Sequence, residues 1–569
     1  MSPIAVGKGN EVLRKLVSHP SHKAPVQKRQ SVDKCITQCT TQEPSREFRS
    51  RWPDFYEHRP HYHFMAPEGW MNDPCAPCYD RKTGLYHIFY QWNPKYHEWG
   101  NMSRGHAVSD DLITWTHVSY SPIQYLLPYK RGSETLSLAS SEDGGKTWTK
   151  AEANPILPGP PTDIEPTAWR DPFVNAWVAL DALLDRKIGQ YTYGIIAGGI
   201  RHKTPTCFLY SIPNGKPAEW TYLGPLIDVG LNCAKNRWSG DLGVSWEVCN
   251  FFSIENTEYI IANVEGGKSL DGALSSDPSE PTTRQALWMT CTLALHQNGQ
   301  PQATPGISGQ LDQGCLYAVN TFFDPVKSRR ILWGWIPEDD LSSAYRAREG
   351  WACCLALPRE LYNFQMEHVV RALRSDLSEL HNCQFEQLTD DTFTLQTLGI
   401  RPLEEVTGLR NAAKTYIIPD FSIKSSNATK KCQETVTTSW LSSIMMKTVI
   451  EFSTLQERLT VDRRDSVIDT DVNTSSVSSP LTLFYVKDPV TGETRLEPLQ
   501  IRLFFDNSVL EVYANDRFAL STRIYATGES SVISVSATAK AHMREHQDPV
   551  IALFVDTTIW DLLQPPRTM

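Results

Sequence analysis

From about Tyr62 to Pro358 the apolar positions fall in short runs separated by turn residues. Leu85–Trp92, Tyr191–Ala197, Tyr259–Val264 and Arg330–Ile336 are rich in aromatic and aliphatic side chains, and Gly, Pro, Asn and Asp lie between them. Runs of this length, bounded in this way, read as strands, and many of them in succession predict an all-β architecture. Two turns share one pattern: Ser109-x-Asp111 leading to Trp115, and Ser141-x-Asp143-x-Gly145-x-Thr147-Trp148. In each, Ser and Asp side chains can bond their own backbone while the Trp anchors the next strand. A hairpin used repeatedly suggests radial repetition, hence a β-propeller.

Beyond Pro358 the pattern changes. Val369, Val370, Leu373, Leu377 and Leu380 stand at helical spacing and predict a linker helix over 361–385. Alternating strands then return, most clearly in Ile501–Tyr513, a hairpin turning at Asp506-Asn507. The stretch Ser453–Ser479 is charged and rich in Ser, Thr and Asp, and reads as an exposed loop. Residues 386–569 are therefore expected to form a β-sandwich. The first fifty residues lack apolar periodicity, so 1–55 is expected to be a disordered arm preceding a propeller domain at 56–360.

A length of 569 residues suits two domains. The net charge of −10 gives nucleic acid no basic surface to bind. No apolar stretch is long enough to span a membrane, and no secretory leader is visible. A cytoplasmic location is the resulting expectation, with secretion the alternative if the N-terminus is misassigned. Thirteen cysteines, an odd number spread thinly, do not form a disulfide framework. Neither Cys75-x-x-Cys78 nor Cys353-Cys354 has partners at zinc-site spacing, so no metal is expected. The 17 Trp, 21 Tyr and 20 Phe serve sheet cores, and rings of this kind also stack on the apolar faces of sugars.

Three acidic residues stand in rigid, aromatic surroundings. Asp73 lies in Gly69-Trp-Met-Asn72-Asp-Pro74, Asp171 in Trp169-Arg170-Asp-Pro172, and Glu247 in Trp246-Glu-Val-Cys-Asn250. Taken singly, each has a plain reading as a turn residue or an ion-pair partner. Together, one nucleophile, one acid and one further charge meet the needs of glycoside cleavage. Glu247 interrupts an apolar run, which predicts a raised pKa suited to a general acid.

These segments resemble glycoside hydrolase family 32, the invertases, inulinases and fructosyltransferases. The resemblance rests on His63–Pro74 and on Tyr90-Gln-Trp-Asn-Pro94 followed by Trp99–Trp115. It continues through Arg170-Asp-Pro172, Trp246-Glu-Val-Cys249, Asp312-x-Gly314-x-x-Tyr317-Ala318, Leu332-Trp-Gly-Trp335 and Leu357-Pro-Arg-Glu-Leu361. It implies a five-bladed propeller followed by a sandwich, and a retaining reaction that needs no cofactor. In that reaction Asp73 is the nucleophile, Glu247 the acid and base, and Asp171 the stabiliser of the transition state with Arg170 beside it. Asn72, Gln91, Trp99 and Trp335 are the expected sugar-binding shell.

The chain departs from the family in two places. Cys75-Ala-Pro77 stands where Asn-Gly is common, similar to a fungal subgroup of intracellular invertases and fructosyltransferases. After Val118 the sequence passes quickly to Arg131, so strands completing blade I and opening blade II are expected to be missing. The expected activity is hydrolysis of sucrose and short fructans. Fructosyl transfer and inactive sugar binding are the alternatives.

Overall fold

The structure, a computed structural model, describes residues 4–5, 52–118, 134–234, 236–266, 283–424, 447–467, 469–525 and 550–563. Strands dominate, and the N-terminal part forms five sheets, in which Pro166–Asn175, Ser245–Ile254, Tyr317–Asp324 and Gly69–Asp80 neighbour one another in that order. In blade I, Gly69–Asp80, Leu85–Asn93, Ser103–Ser109 and Thr116–His117 pair antiparallel in chain order. Trp351–Ala352 joins the first of these in parallel, opposite Gly69 and Trp70. The return of the chain from blade V, which opens with Tyr317–Asp324 and Arg329–Ile336, thus covers an edge that would otherwise be open. Blade III (Pro166–Asn175 to Thr221–Pro225) and blade IV (Ser245–Ile254 to Pro301–Gln310) are four-stranded meanders. They share a core of Ile195, Leu209, Trp246, Phe251, Ile260 and Leu287. Gly198 is required there, because a Cβ would fall 1.8 Å from the Ala168 carbonyl oxygen.

The repeated turn forms as the sequence predicts. Asp111 Oδ1 accepts from the amides of Ile113 and Thr114 at 2.8 and 2.6 Å, and Trp115 Nε1 donates to Leu112 O at 3.1 Å. Asp143 Oδ1 accepts from Lys146 and Thr147 at 3.1 and 2.9 Å, and Trp148 Nε1 donates to Gly145 O at 3.0 Å. Trp148 meets Phe89 of blade I edge-on, with ring centroids 5.9 Å apart. Blade II itself is small. Leu138–Ser140 and Thr149–Lys150 pair antiparallel, and Ile4–Ala5 lies parallel to the first of them. The stretch at 119–133, where the sequence leads one to expect missing strands, falls outside the described residues.

Three sequence expectations need correction. Residues 361–385 hold no α-helix: a strand, Arg359–Ala372, pairs with Phe393–Pro402 along most of its length, and only Leu377–Glu379 makes a 3₁₀ turn. A register shift between Met366 and Val369 resets the strand's two-residue alternation. A second shift, between Val369 and Arg371, brings Val369 and Ala372 to one face three residues apart, and Leu377 and Leu380 join the same cluster from the 3₁₀ turn, so that together they look like helical spacing. The charged stretch Ser453–Ser479 contains the strands Arg458–Asp465 and Val477–Pro480, with Leu459 and Val461 fully buried between outward polar residues. The expected arm ends earlier than residue 55, since Phe55 is buried and the Trp52 ring packs on Gly350. Apart from Ile4–Ala5, residues 1–51 lie outside the description.

Two domains, propeller and sandwich, meet across a buried polar seam. Asp506, at the hairpin that the sequence places correctly, accepts from the amides of His61, Tyr62 and His63 at 2.7, 2.8 and 2.9 Å. His63 Nδ1 also meets Asp506 at 2.8 Å, and its Nε2 meets Glu511 at 2.9 Å. Arg359 bridges Glu511 and Asp312 at 2.8 and 2.9 Å. The motifs around Asp312 and Arg359 thus hold the domains together.

Arg330 is the opposite case. It is buried in blade V, and among the described residues no carboxylate pairs with it. Its guanidinium lies over the Phe252 ring at 4.4 Å, and desolvation pushes its pKa down to about 9. An uncompensated buried cation is costly. Arg330→Met is expected to raise the unfolding free energy by about 1–2 kcal/mol, read as a higher midpoint in urea. A lower midpoint would show that the guanidinium has a role that packing alone does not replace.

Candidate active site

Three acidic residues reach the centre of the ring by the same backbone device. Asp73 is the surplus residue between the pairs Asn72–Gln91 and Pro74–Tyr90, and Asp171 between Arg170–Ala197 and Pro172–Ile196. Val248 and Cys249, directly after Glu247, oppose one residue of the neighbouring strand, and Ala318 and Val319 do so after Tyr317. Each is a β-bulge in the innermost strand of its blade, and a bulge re-aims the side chain beside it. Asp171, Val248 and Ala318 accordingly adopt positive φ of 57°, 41° and 49°. Asn263 ties two of the bulges together. Its Nδ2 donates to Val248 O at 2.9 Å, and its Oδ1 accepts from Val319 N at 2.8 Å.

Side chains complete the arrangement. Gln91 Nε2 donates to Asp73 Oδ2 at 2.9 Å, and Trp70 Nε1 donates to Asn72 Oδ1 at 3.2 Å. Trp335 is buried edge-on to Trp70, with ring centroids 5.8 Å apart. Arg170 donates from Nε and one terminal nitrogen to Glu247 Oε1 at 2.8 and 2.6 Å, and that nitrogen also reaches Glu265 Oε2 at 2.8 Å. The Tyr317 hydroxyl donates to Glu247 Oε2 at 2.9 Å. Seven of the eight expected residues therefore line one place. Trp99 is 61% exposed and takes no part in the hydrogen-bonded cluster.

The surroundings of Glu247 differ from the expectation. Glu247 does not sit among apolar groups; it is held by a guanidinium and a phenol. Burial and like charge act on the carboxyls beside it. Burial, then Asp171 and Glu247, push Asp73 up to about 7, and burial and Glu247 push Glu265 to about 7. Burial and Glu247 also raise Asp171. Like charges this close cannot all ionise together, so the group retains protons toward neutrality, and its titration belongs to the cluster as a whole. Glu265 and Tyr317 were not among the expected residues. Glu265 ends an ordinary strand, and nothing local marks it. Tyr317-Ala318 repeats the site-then-bulge pattern of Glu247-Val248, a signal visible only once the register is known.

Removing one negative neighbour makes the remaining carboxyls easier to ionise. Glu265→Gln is therefore expected to move the basic limb of kcat/KM to lower pH by about one unit. A pH–rate profile on the substrate checks this, and an unmoved limb with only a raised KM would count against it.

The carboxylates thus stand on the innermost strands of a propeller that is joined to a sandwich. Residues 63–125 and 120–371 match the glycosyl hydrolases family 32 N-terminal domain, and residues 386–561 match the family 32 C-terminal domain. The chain belongs to glycosyl hydrolase family 32. It is 31% identical over 338 residues to an acid beta-fructofuranosidase of Solanum lycopersicum, covering 52% of this chain and 48% of that protein. With the vacuolar acid beta-fructofuranosidase 2 of a Rosa hybrid cultivar it shares 26% over 534 residues, 82% of this chain and 76% of that one. The match thus spans about half the length of the first curated relatives. Among solved structures it resembles the Aspergillus kawachii beta-fructofuranosidase complexed with glycerol (26% identity, TM-score 0.69, 83% of this chain and 90% of that one). It also resembles the A. japonicus fructosyltransferase in fold (24% identity, TM-score 0.72, 83% and 91%).

Proposed function

We propose that this chain is a retaining β-fructofuranosidase that cleaves sucrose and related β-fructosides. The observation that carries the reading is the meeting of Asp73, Asp171 and Glu247 on bulges of three blades, with Arg170 and Tyr317 gripping Glu247. The Aspergillus kawachii and Solanum relatives, both named beta-fructofuranosidases, support it. Asp73, its Oδ2 fixed by Gln91, attacks C2 of the fructosyl unit as the bond to the glycosidic oxygen breaks. Glu247 gives its proton to that oxygen, and glucose leaves. The carboxylate left on Glu247 is stabilised by Arg170 and Tyr317. It then takes a proton from water, whose oxygen attacks C2 and frees Asp73. Asp171 faces the charge that develops on the ring. Among the described residues no group of three potential ligands is placed to hold a metal ion, and no helix is long and apolar enough to cross a membrane.

The experiment is incubation with sucrose and separate quantification of the two hexoses. Equal glucose and fructose support hydrolysis. Glucose in clear excess means that the fructosyl group passes to sugar acceptors in place of water. Release of neither, from folded protein that still binds fructose, overturns the enzymatic reading in favour of a sugar-binding protein.

A further inference from the structure

The amide of Asn263 is one half of a larger device on the seam between blades IV and V. The other half is Asn250, the residue that closes the bulge after Glu247. Its Nδ2 donates to Val248 O at 3.1 Å, and its Oδ1 accepts from the amide and the hydroxyl of Thr321, both at 2.8 Å. Asn263 adds a donation to Val319 O at 3.2 Å to its bonds with Val248 O and Val319 N. The Val248 carbonyl, one residue past Glu247, thus receives two side-chain N–H groups, and each of those amides also grips the backbone of blade V. Asn250 and Asn263 are completely buried. An apolar residue of similar size would fill the space but leave Val248 O, Val319 N and Thr321 N without these partners. A carboxylate would accept but not donate, whereas an amide does both from one side chain. The bulge they hold is a strained one: Val248 is β-branched at a φ of 41°, a conformation that persists only where its surroundings enforce it.

We infer, resting on the β-fructofuranosidase reading above, that Asn250 and Asn263 are positioning residues for proton transfer to the leaving sugar. They fasten the backbone beside Glu247 to the backbone beside Tyr317, and so aim the Glu247 carboxyl at the glycosidic oxygen. The two fastened bulges are those that directly follow Glu247 and Tyr317, whose side chains meet at 2.9 Å. Neither amide touches substrate; each acts through the strand that carries the acid or its phenol partner. With one amide gone, the Val248 bulge is free to relax, and Glu247 moves with it. A displacement of about 1 Å at a reacting group can cost roughly a hundredfold in rate.

Two substrates with different leaving groups separate positioning from mere support of the fold. Sucrose releases a sugar oxygen that needs a proton as its bond to C2 breaks. p-Nitrophenyl β-fructofuranoside releases p-nitrophenolate, which departs with the electron pair of the broken bond and needs no proton. In Asn250→Ala and Asn263→Ala of the full chain, kcat/KM on sucrose is expected to fall by about thirtyfold or more, while that on the aryl fructoside stays within about threefold of the parent. Equal losses on both substrates would mean that the amides only maintain the fold. An unchanged value on sucrose would mean that Glu247 keeps its place without them, and either result overturns the inference. Should the alanine variants not fold, Thr321→Val removes only the hydroxyl bond to Asn250. It is expected to lower kcat/KM on sucrose about threefold with the aryl fructoside unchanged, and an unmoved ratio of the two overturns the inference. A parent inactive on both substrates overturns the hydrolase reading and this inference with it; an active parent with a flat ratio in the variants overturns this inference alone.

Discussion

Asp73→Asn should cut the release of glucose and fructose from sucrose by roughly four orders of magnitude while leaving the fold and its melting temperature close to the parent's. The amide keeps the shape of the carboxyl and can still face the Gln91 side chain, which donates to Asp73 Oδ2 at 2.9 Å. What it cannot do is bond to C2, so the covalent step is lost. The fold should hold, and even gain slightly, because Asp73 is a buried acid whose pKa is pushed up to about 7 by burial and by Asp171 and Glu247. Ionising it costs the native state, and a neutral residue relieves that cost. Rate assays paired with thermal melts decide the matter. A variant that keeps a tenth of the activity would move the nucleophile elsewhere, and one that fails to fold would make Asp73 structural.

Asp506→Ala should have the largest effect on stability, about 3–5 kcal/mol or outright failure to fold. The carboxylate takes three consecutive backbone amides and one imidazole nitrogen from residues 61–63. Its loss strands all of them in a seam where the side chains of His63 and Glu511 are completely buried. His63 faces a carboxylate from each ring nitrogen, an arrangement only the doubly protonated ring can satisfy with two donors. Burial alone would lower its pKa, but the bonds to Asp506 and Glu511 carry it up to about 9. The folded value lies above the unfolded one, so this contribution is complete below about pH 6.5 and is lost as pH rises through about 9. It amounts to about 3 kcal/mol at most. The wild-type melting temperature is therefore expected to fall between pH 7 and 10; a flat profile there would mean that His63 is neutral in the folded protein.

The sequence was most legible where local chemistry dictates local geometry. The Ser/Asp turns before Trp115 and Trp148 bond their own backbones, and the hairpin after Asp506 closes where the apolar runs break. The segment after Pro358 was illegible for a physical reason: a register shift between Val369 and Arg371, followed by a 3₁₀ turn, makes a strand end mimic helical spacing. The site was legible as residue types but not as electrostatics. Glu247 looks apolar along the chain because its neighbours in sequence are apolar. Its neighbours in space, Arg170 from blade III and Tyr317 from blade V, come from 77 residues before and 70 residues after it. Glu265 and Asn263 were missed for the same reason, since their roles arise from strand pairing across blades.

The bulges bear on how this protein can change over time. Asp73, Glu247 and Tyr317 each depend on a strand holding one residue more than its neighbour, and Asp171 is itself such a residue. Losing that residue would slip the strand by one and turn its core face outward. Point substitutions near the site can thus be sampled one at a time, whereas insertions and deletions in these four strands are barred. Length variation has to collect elsewhere, and blade II is the one blade from which none of these site residues comes.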